Sequence, residues 1–502
     1  MPPRAGSSTA IAARATRVDS RRPPCGYENL IRQVTRCRRA CQADSVPGTL
    51  ASRRFSRLRF ALTTVVTAVG LIAACATPVD ERPAPAPTPG DPHSLTFPRT
   101  ATYFLNQQDL PPVEELARYD VVVIDNEWAN RKPHEYFDEL RHANPRLRLL
   151  AYVNVVDHPD QLGTEAYWAN RYALWQFDEN GESAFPEPWL AHTMDGTPVS
   201  EWPESTMTNL TDQAPRINGQ IFAEYAANWV VDDVWSAGVW DGIFLDVWGD
   251  RIYSADRDHW DIDSDGTDEP DDSIYGFGNP WERGVNLAEQ IIRQRIPDAI
   301  LVANGDRTLL TQQLDGRAWE KFADPRADRN PMFDIEQYVS LTAEGEHRRP
   351  GLAITIDKLG AAPHSAQDFQ RARYFLAATL LQNGFWAPMG ADYDEPAYFD
   401  EMDGGGLGPG YLGHPLVADP SPAVLNDPYA DGVGSLGHGL FRRDFEHGTV
   451  LLNTDDKPRE VQLEKPFRRL QGVRDPSTNN GDTVTSVTLQ PSDGLVLSSE
   501  NP

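Results

Sequence analysis

Between residues 99 and about 400, short apolar runs alternate with stretches whose apolar positions recur at helical spacing. The runs predict strands at Ala101–Leu105, Asp120–Ile124, Leu147–Val153, Gly242–Leu245, Ala299–Ala303, Arg317–Trp319, Leu352–Ile356 and Phe385–Pro388. Helical spacing covers Val113–Arg118, Ile217–Ala237 and Ala366–Leu381. Eight strands with intervening helices predict an α/β fold, a (β/α)8 TIM barrel over residues 99–434. A doubly wound open sheet is the alternative, but no Gly-x-Gly-x-x-Gly turn follows any strand. One excursion, residues 155–215, interrupts the alternation and carries Trp168, Trp175, Trp189 and Trp202. After about residue 435 the period becomes two, at Gly448–Asn453, Val461–Leu463 and Val484–Leu489. This predicts a small C-terminal antiparallel β domain, residues 435–502, packed on the barrel.

Composition changes the picture at the N-terminus. Residues 1–74 carry 13 Arg, no Lys and 3 acidic residues, about +10, whereas the whole chain is −28, leaving about −38 on the rest. Arg53–Arg59 is basic, and an apolar run from Phe60 to Ala74 follows. That run is short for a membrane span and suits a signal peptide. It closes with Leu71-Ile72-Ala73-Ala74-Cys75, which resembles the lipobox of bacterial lipoproteins. The resemblance implies lipidation at Cys75 and a place on the bacterial cell envelope, outside the cytoplasm. An ordinary cleaved secretory signal with Cys75 incidental is the other reading. The remaining cysteines, Cys25, Cys37 and Cys41, all precede Cys75, so the mature body has no disulfide and no thiol nucleophile. Residues 75–98 hold Pro83, Pro85, Pro87, Pro89 and Pro92 and read as an extended tether. The acidic body lacks a basic stripe, which argues against nucleic acid and fits a neutral or cationic polymer.

If the barrel forms, strand-end residues converge at one mouth, where such barrels keep their chemistry. Asp246 ends Val239-Trp-Asp-Gly-Ile-Phe-Leu-Asp246, and Glu320 ends Asp315-Gly-Arg-Ala-Trp-Glu320. Two carboxylates on separate strand ends suit glycoside cleavage, with Asp246 ionised as nucleophile or base and Glu320 as acid. Trp319 and Phe322 beside Glu320 are expected to favour its protonated form. The plainer reading has Asp246 capping a helix and Glu320 in a surface ion pair. Asp125, Asn126, Asn304, Asp357 and Asp392 also fall at strand ends and are candidate substrate contacts. Trp248, Tyr253, Trp386 and Tyr393 could stack on sugar faces or simply pack.

The segment Gly238–Asp246 resembles the fourth-strand motif of polygalactosaminidase-type barrels and their relatives, hypothetical glycosyl hydrolase family 15. Asp315-Gly316 to Glu320 is similar to the later Asp-Gly…Glu motif of that group. The stretches Gly404–Pro415 and Arg442–Asn453 resemble it too. The likeness spans about residues 98–498 and implies a TIM barrel glycosidase with Asp246 and Glu320 in the carboxylate roles. Arg317-Ala318-Trp319 departs from it, being bulkier and more basic than the usual strand. The Gly-rich stretch 404–413 lacks a P-loop Lys and a following helix, and reads as a loop over the barrel mouth.

Asp261-Ile-Asp263-Ser-Asp265-Gly266-Thr267-Asp268-Glu269-Pro-Asp-Asp272 matches the spacing of a calcium loop. Asp261, Asp263, Asp265, Thr267, Glu269 and Asp272 are the candidate ligands for a structural calcium ion. Asp at the twelfth position and the missing helix pair depart from that pattern; a solvated acidic loop is the alternative. Together these features predict a lipid-anchored glycoside hydrolase acting on a polysaccharide. A non-catalytic carbohydrate-binding lipoprotein on a degenerate barrel is the second reading.

Overall fold

The computed structural model describes residues 94–499 except 107, 161–168, 179–181, 253–258, 306–311, 328–329 and 345–351. The described residues belong to one compact unit, Pro83–Pro502. Cys75, the leader, most of the tether and Tyr253 lie outside the described residues.

Eight parallel strands form one sheet in chain order: β1 Ala101–Phe104, β2 Val121–Asp125, β3 Arg148–Asn154, β4 Gly242–Asp246, β5 Ile300–Ala303, β6 Gly316–Glu320, β7 Leu352–Lys358 and β8 Phe385–Met389. A parallel bridge between Thr100 and Trp386, with Trp386 N–H donating to Arg99 O at 3.0 Å, joins the last strand to the first. The sheet is a closed (β/α)8 barrel. Its outer layer includes α1 His134–Ala143, α2 Phe222–Trp229, α3 Pro280–Arg295, α4 Pro331–Glu344 and α5 Ala366–Thr379. Between β5 and β6 no helix occurs among the described residues.

Strand alternation sorts every side chain to one of two cores. Tyr103, Val121, Val123, Leu150, Tyr152, Phe244, Val302, Ala318, Ile354, Ile356, Phe385 and Ala387 fill the barrel interior. The intervening residues, such as Val122, Ile124, Ile243, Leu245, Trp319 and Trp386, pack against the helices.

One device recurs below three strands. Asp120, Asp241 and Asp315 stand just before β2, β4 and β6. Each takes a backbone N–H of the preceding strand region, from Thr100 at 3.0 Å, Leu149 at 2.8 Å and Leu301 at 2.8 Å. Each also takes a guanidinium, from Arg146, Arg141 and Arg293. An N–H at a strand start would otherwise lack a partner, so these carboxylates fix neighbouring strands in register. The Asp-Gly pairs that mark the two sequence motifs are therefore structural. Gly242 and Gly316 are needed because a Cβ would meet the next strand's carbonyl, Ile300 O or Leu352 O.

The C-terminal strands form a six-stranded antiparallel sheet: β9 Val433–Gly437, β10 Leu440–Phe445, β11 Gly448–Asn453, β12 Arg459–Arg469, β13 Thr483–Leu489 and β14 Asp493–Ser498. Two buried arginines bind it to the barrel. Arg443 of β10 donates to Leu380 O and Gln382 O, beyond the end of α5, at 3.0 and 2.6 Å. Arg373 of α5 reaches Asp475 at 2.5 Å and Asp493 at 3.2 Å. The glycine-rich stretch does not lie over the mouth. Gly413 pairs with Phe97, which precedes β1 at the opposite end, and a Cβ on Gly405 would meet Gln471 O.

Candidate active site

The inward face of each strand decides which polar residue reaches the mouth. Phe244 is inward, so Asp246 is too; Ala318 carries Glu320 inward, and Val302 carries Asn304. Val247 and Lys321, the residues directly after the two carboxylates, have φ of 55° and 53°. Left-handed backbone is unusual for any L-residue and strained for β-branched Val247, and such positions cluster at working sites. Gly305 brings the two neighbouring strand ends together, since a Cβ there would meet Gly249 N at 2.6 Å. Trp248 N–H then donates to Asn304 O at 2.7 Å.

The result is one connected polar network. Asn304 Nδ2 donates to Asp246 Oδ1 at 2.8 Å and to Glu320 Oε1 at 2.7 Å. Bonded to one nitrogen, these two oxygens stand no farther apart than the two bond lengths together, 5.5 Å. The other oxygen of each carboxylate takes a tyrosine hydroxyl. Tyr152 donates to Asp246 Oδ2 at 2.6 Å, and Tyr393 donates to Glu320 Oε2. Tyr103 lies between the two tyrosines, with ring centroids 6.0 Å from Tyr152 and 5.0 Å from Tyr393. Burial raises the hydroxyl pKa of all three well above the ordinary tyrosine value, so each remains a donor.

Burial also acts on Asp246. Desolvation first, and the neighbouring Glu320 second, push it up to about 6, against hydrogen bonds from Tyr152, Asn304 and the Val247 N–H that favour its charged form. Trp319 and Phe322 do not flank Glu320 in the mouth. Both pack in the outer layer, against Tyr338 of α4. Arg317 also faces outward, its guanidinium 4.4 Å from the Trp319 ring centroid. The basic residue in this strand therefore leaves the barrel interior undisturbed.

The other sequence candidates divide. Asp125 is inward and ion-paired to Arg171 at 2.6 Å, with the Glu127 N–H also donating to it. Asn126 donates to Tyr152 O and accepts from Asn170, tying β2 to β3 and to helix Ala169–Trp175. Asp392 is at the rim, exposed and paired with Lys358 at 2.7 Å. Three candidates are on the wrong side. Trp248 is buried in the outer core and donates Nε1–H to Glu289 of α3 at 2.9 Å. Trp386 and Asp357 alternate with inward Phe385 and Ile356 and so face the helices. Burial raises the Asp357 carboxyl well above its ordinary range. Tyr152, Tyr103, Arg171 and Lys358 were not singled out from sequence. Counting back in steps of two from Asn154, and pairing Asn154 with Asp246, would have found Tyr152.

The acidic loop lies beyond β4. Carboxylate oxygens of Asp261, Asp263 and Asp265 gather within 4.8 Å of one another. Asp261 and Asp263 accept the Asp265 N–H, and Asp261 also accepts the Gly266 N–H. Glu269 takes the Ile262 N–H, and Asp272 lies in the first turn of a short helix, Asp271–Ile274; both stand outside that cluster, and Thr267 is exposed. Asp261 N–H donates to His192 O, and Asp268 accepts the Met194 N–H, so the loop is fastened to the 155–215 excursion.

No curated protein matches the chain. Among solved structures, an Anoxybacillus alpha-amylase is similar at 11% identity and TM-score 0.42, over 82% of this chain and 100% of that one. The glycoside hydrolase domain of PelA from Pseudomonas aeruginosa is similar at 17% identity and TM-score 0.36, over 59% and 96%. A GH27 β-L-arabinopyranosidase from Geobacillus stearothermophilus is similar at 10% identity and TM-score 0.41, over 82% and 97%. A family model described as "Hypothetical glycosyl hydrolase family 15" matches residues 141–449, more than half the chain and a span that holds Asp246, Asn304 and Glu320. The chain belongs to that family and is a glycoside hydrolase.

Proposed function

We propose that the chain cleaves a polysaccharide with retention of configuration, with Asp246 as nucleophile and Glu320 as acid and base. The observation that carries this reading is the shared Asn304 amide. It draws one oxygen of each carboxylate to within 5.5 Å of the other, which supports the close, retaining arrangement of about 5–5.5 Å between carboxyl groups over the roughly 6.5–9.5 Å of inverting enzymes. In the first step Asp246 forms a bond to the anomeric carbon while the glycosidic C–O bond breaks and Glu320 gives its proton to the leaving oxygen. In the second, water attacks that carbon, Glu320 takes the water's proton, and the Asp246–carbon bond breaks. Asp125 is a weaker nucleophile candidate, because it is ion-paired to Arg171 and the Asn304 amide joins Glu320 to Asp246 instead.

The substrate class follows from charge. The body of the chain is strongly acidic and the mouth gathers Asp125, Asp246, Glu320 and Asp392, which favours a neutral or amino-bearing glycan over an anionic one. The basic leader, apolar run and Cys75 support a lipid-anchored protein of the bacterial cell envelope that acts outside the cytoplasm. The gathered carboxylates of Asp261, Asp263 and Asp265 support one structural calcium ion bracing the loop after β4 against the excursion.

The test is a screen of residues 98–502 against aryl glycosides of glucose, galactose and their 2-amino and 2-acetamido forms, in both anomers, beside the corresponding polymers. Turnover that Asp246→Asn abolishes supports the reading. Binding without turnover by the intact chain would favour a carbohydrate-binding role instead.

A further inference from the structure

Glu320 is held from the end of the preceding strand, by Asn304, and from the loop after β8. Tyr393, in the loop after β8, gives its hydroxyl to Oε2, the oxygen that Asn304 does not use. Tyr393 is itself fixed on several sides. Its carbonyl accepts the Leu105 N–H at 2.7 Å, and its N–H donates to Asp392 Oδ1 at 2.9 Å. Tyr103 meets its ring edge to face. Lys358, the inward residue at the top of β7, places Nζ 3.7 Å from the ring centroid and 2.7 Å from Asp392 Oδ1. A cation over the ring face withdraws electron density and makes the hydroxyl a stronger donor. Asp392 anchors that cation without reaching the carboxylate. This leaves one hydroxyl aimed at one oxygen, held by an ammonium that stays out of the bond.

We propose that Tyr393 and Lys358 are positioning residues for Glu320. Tyr393 holds the Glu320 carboxylate in the orientation from which it gives and retakes the proton, and Lys358 holds Tyr393. The role rests on Glu320 as the acid and base. A hydroxyl donated to Oε2 favours the charged carboxylate left after the leaving group is protonated. It therefore matters most when the leaving group needs a full proton, and little when it departs unaided.

The experiment uses dinitrophenyl and phenyl glycosides of the sugar that the screen selects, with the full chain and its Tyr393→Phe, Lys358→Met, Lys358→Arg and Glu320→Gln variants. Tyr393→Phe is expected to lower kcat/KM roughly ten- to a hundredfold on the phenyl glycoside, as for a lost hydrogen bond to a charged group, and only about twofold on the dinitrophenyl one. The alkaline limb of its pH profile should move to higher pH. Lys358→Met should shift both in the same direction by less, and Lys358→Arg, which keeps a cation, should restore most of the loss. Equal losses on both leaving groups with an unmoved alkaline limb would overturn the proposal while leaving Glu320 in its role. Glu320→Gln with the same activity as wild type on the phenyl glycoside would overturn both. Melting curves identify any variant that fails to fold, and the Lys358→Arg recovery decides the question for Lys358 even then.

Discussion

Asp246 and Glu320 face each other across one amide nitrogen, that of Asn304, which donates to an oxygen of each. An amide carries two N–H groups and no charge, so it can donate to both acids without placing a counter-charge between them. A lysine there would pair with both and hold both ionised.

The stereochemical prediction follows from that spacing. Proton NMR of the first-formed sugar should show the same anomer as the substrate. Asp246→Asn should cut kcat by several orders of magnitude with the fold intact, and Glu320→Gln should lose less on dinitrophenyl than on phenyl glycosides. Release of the opposite anomer would refute retention.

Asp246 makes a stability prediction of its own. Burial raises its folded-state pKa to about 6, above the unfolded value near 3.8. The folded state then binds the proton more tightly, so stability falls as pH rises from about 4 to about 6, and the cost persists above. Asp246→Asn removes that cost and should stabilise the fold at pH 7–8 by at most about 3 kcal/mol, read as a higher melting temperature, with little gain at pH 4. A variant equally stabilised at both pH values would contradict the assignment.

Trp248 separates packing from recognition. Its ring lies in the outer core and its Nε1–H serves Glu289, so Trp248→Phe should lower stability by about 1–3 kcal/mol without changing KM. A raised KM at unchanged stability would return it to the substrate.

For the acidic loop, chelation with EDTA should lower the melting temperature, because an ion that binds only the folded loop stabilises by mass action. Asp263→Ala with Asp265→Ala should abolish that sensitivity. Identical melting with and without chelator argues against the ion.

Cys75→Ala should move the protein from the membrane fraction to the soluble fraction of producing cells. Unchanged partitioning would dismiss the lipid anchor.

The barrel was legible because each strand is an apolar run too short for a helix, bounded by polar residues. Asp246 and Glu320 stood out because an acid at the end of such a run is unusual. The fine sorting was not legible in the same way. Trp386 and Asp357 look like mouth residues until alternation is counted from Phe385 and Ile356, which turns both outward. Tyr152 and Tyr393 were missed or read as stacking platforms, because their targets lie on strands far away in sequence, and only register brings hydroxyl to carboxylate. The Gly-rich stretch was misplaced for the same reason, its partner Phe97 being more than 300 residues earlier.

Arg443 and Arg373 give the C-terminal sheet a part in the barrel's own integrity. Arg443 satisfies carbonyls at the end of α5, the helix that leads into β8, and Arg373 reaches from that helix to the sheet's last strand. Both are buried, and detaching the sheet would break their charge-assisted bonds and expose to water the apolar side chains, Phe441, Phe445, Val450, Leu452 and Val496 among them, that share the barrel's outer core. The two layers should therefore exchange their amide hydrogens as a single cooperative unit, with α5 and β14 protected to the same global free energy. Truncation at residue 434 would then take away Arg443 and both carboxylate partners of Arg373, so the boundary visible in the sequence is not a line along which the protein comes apart.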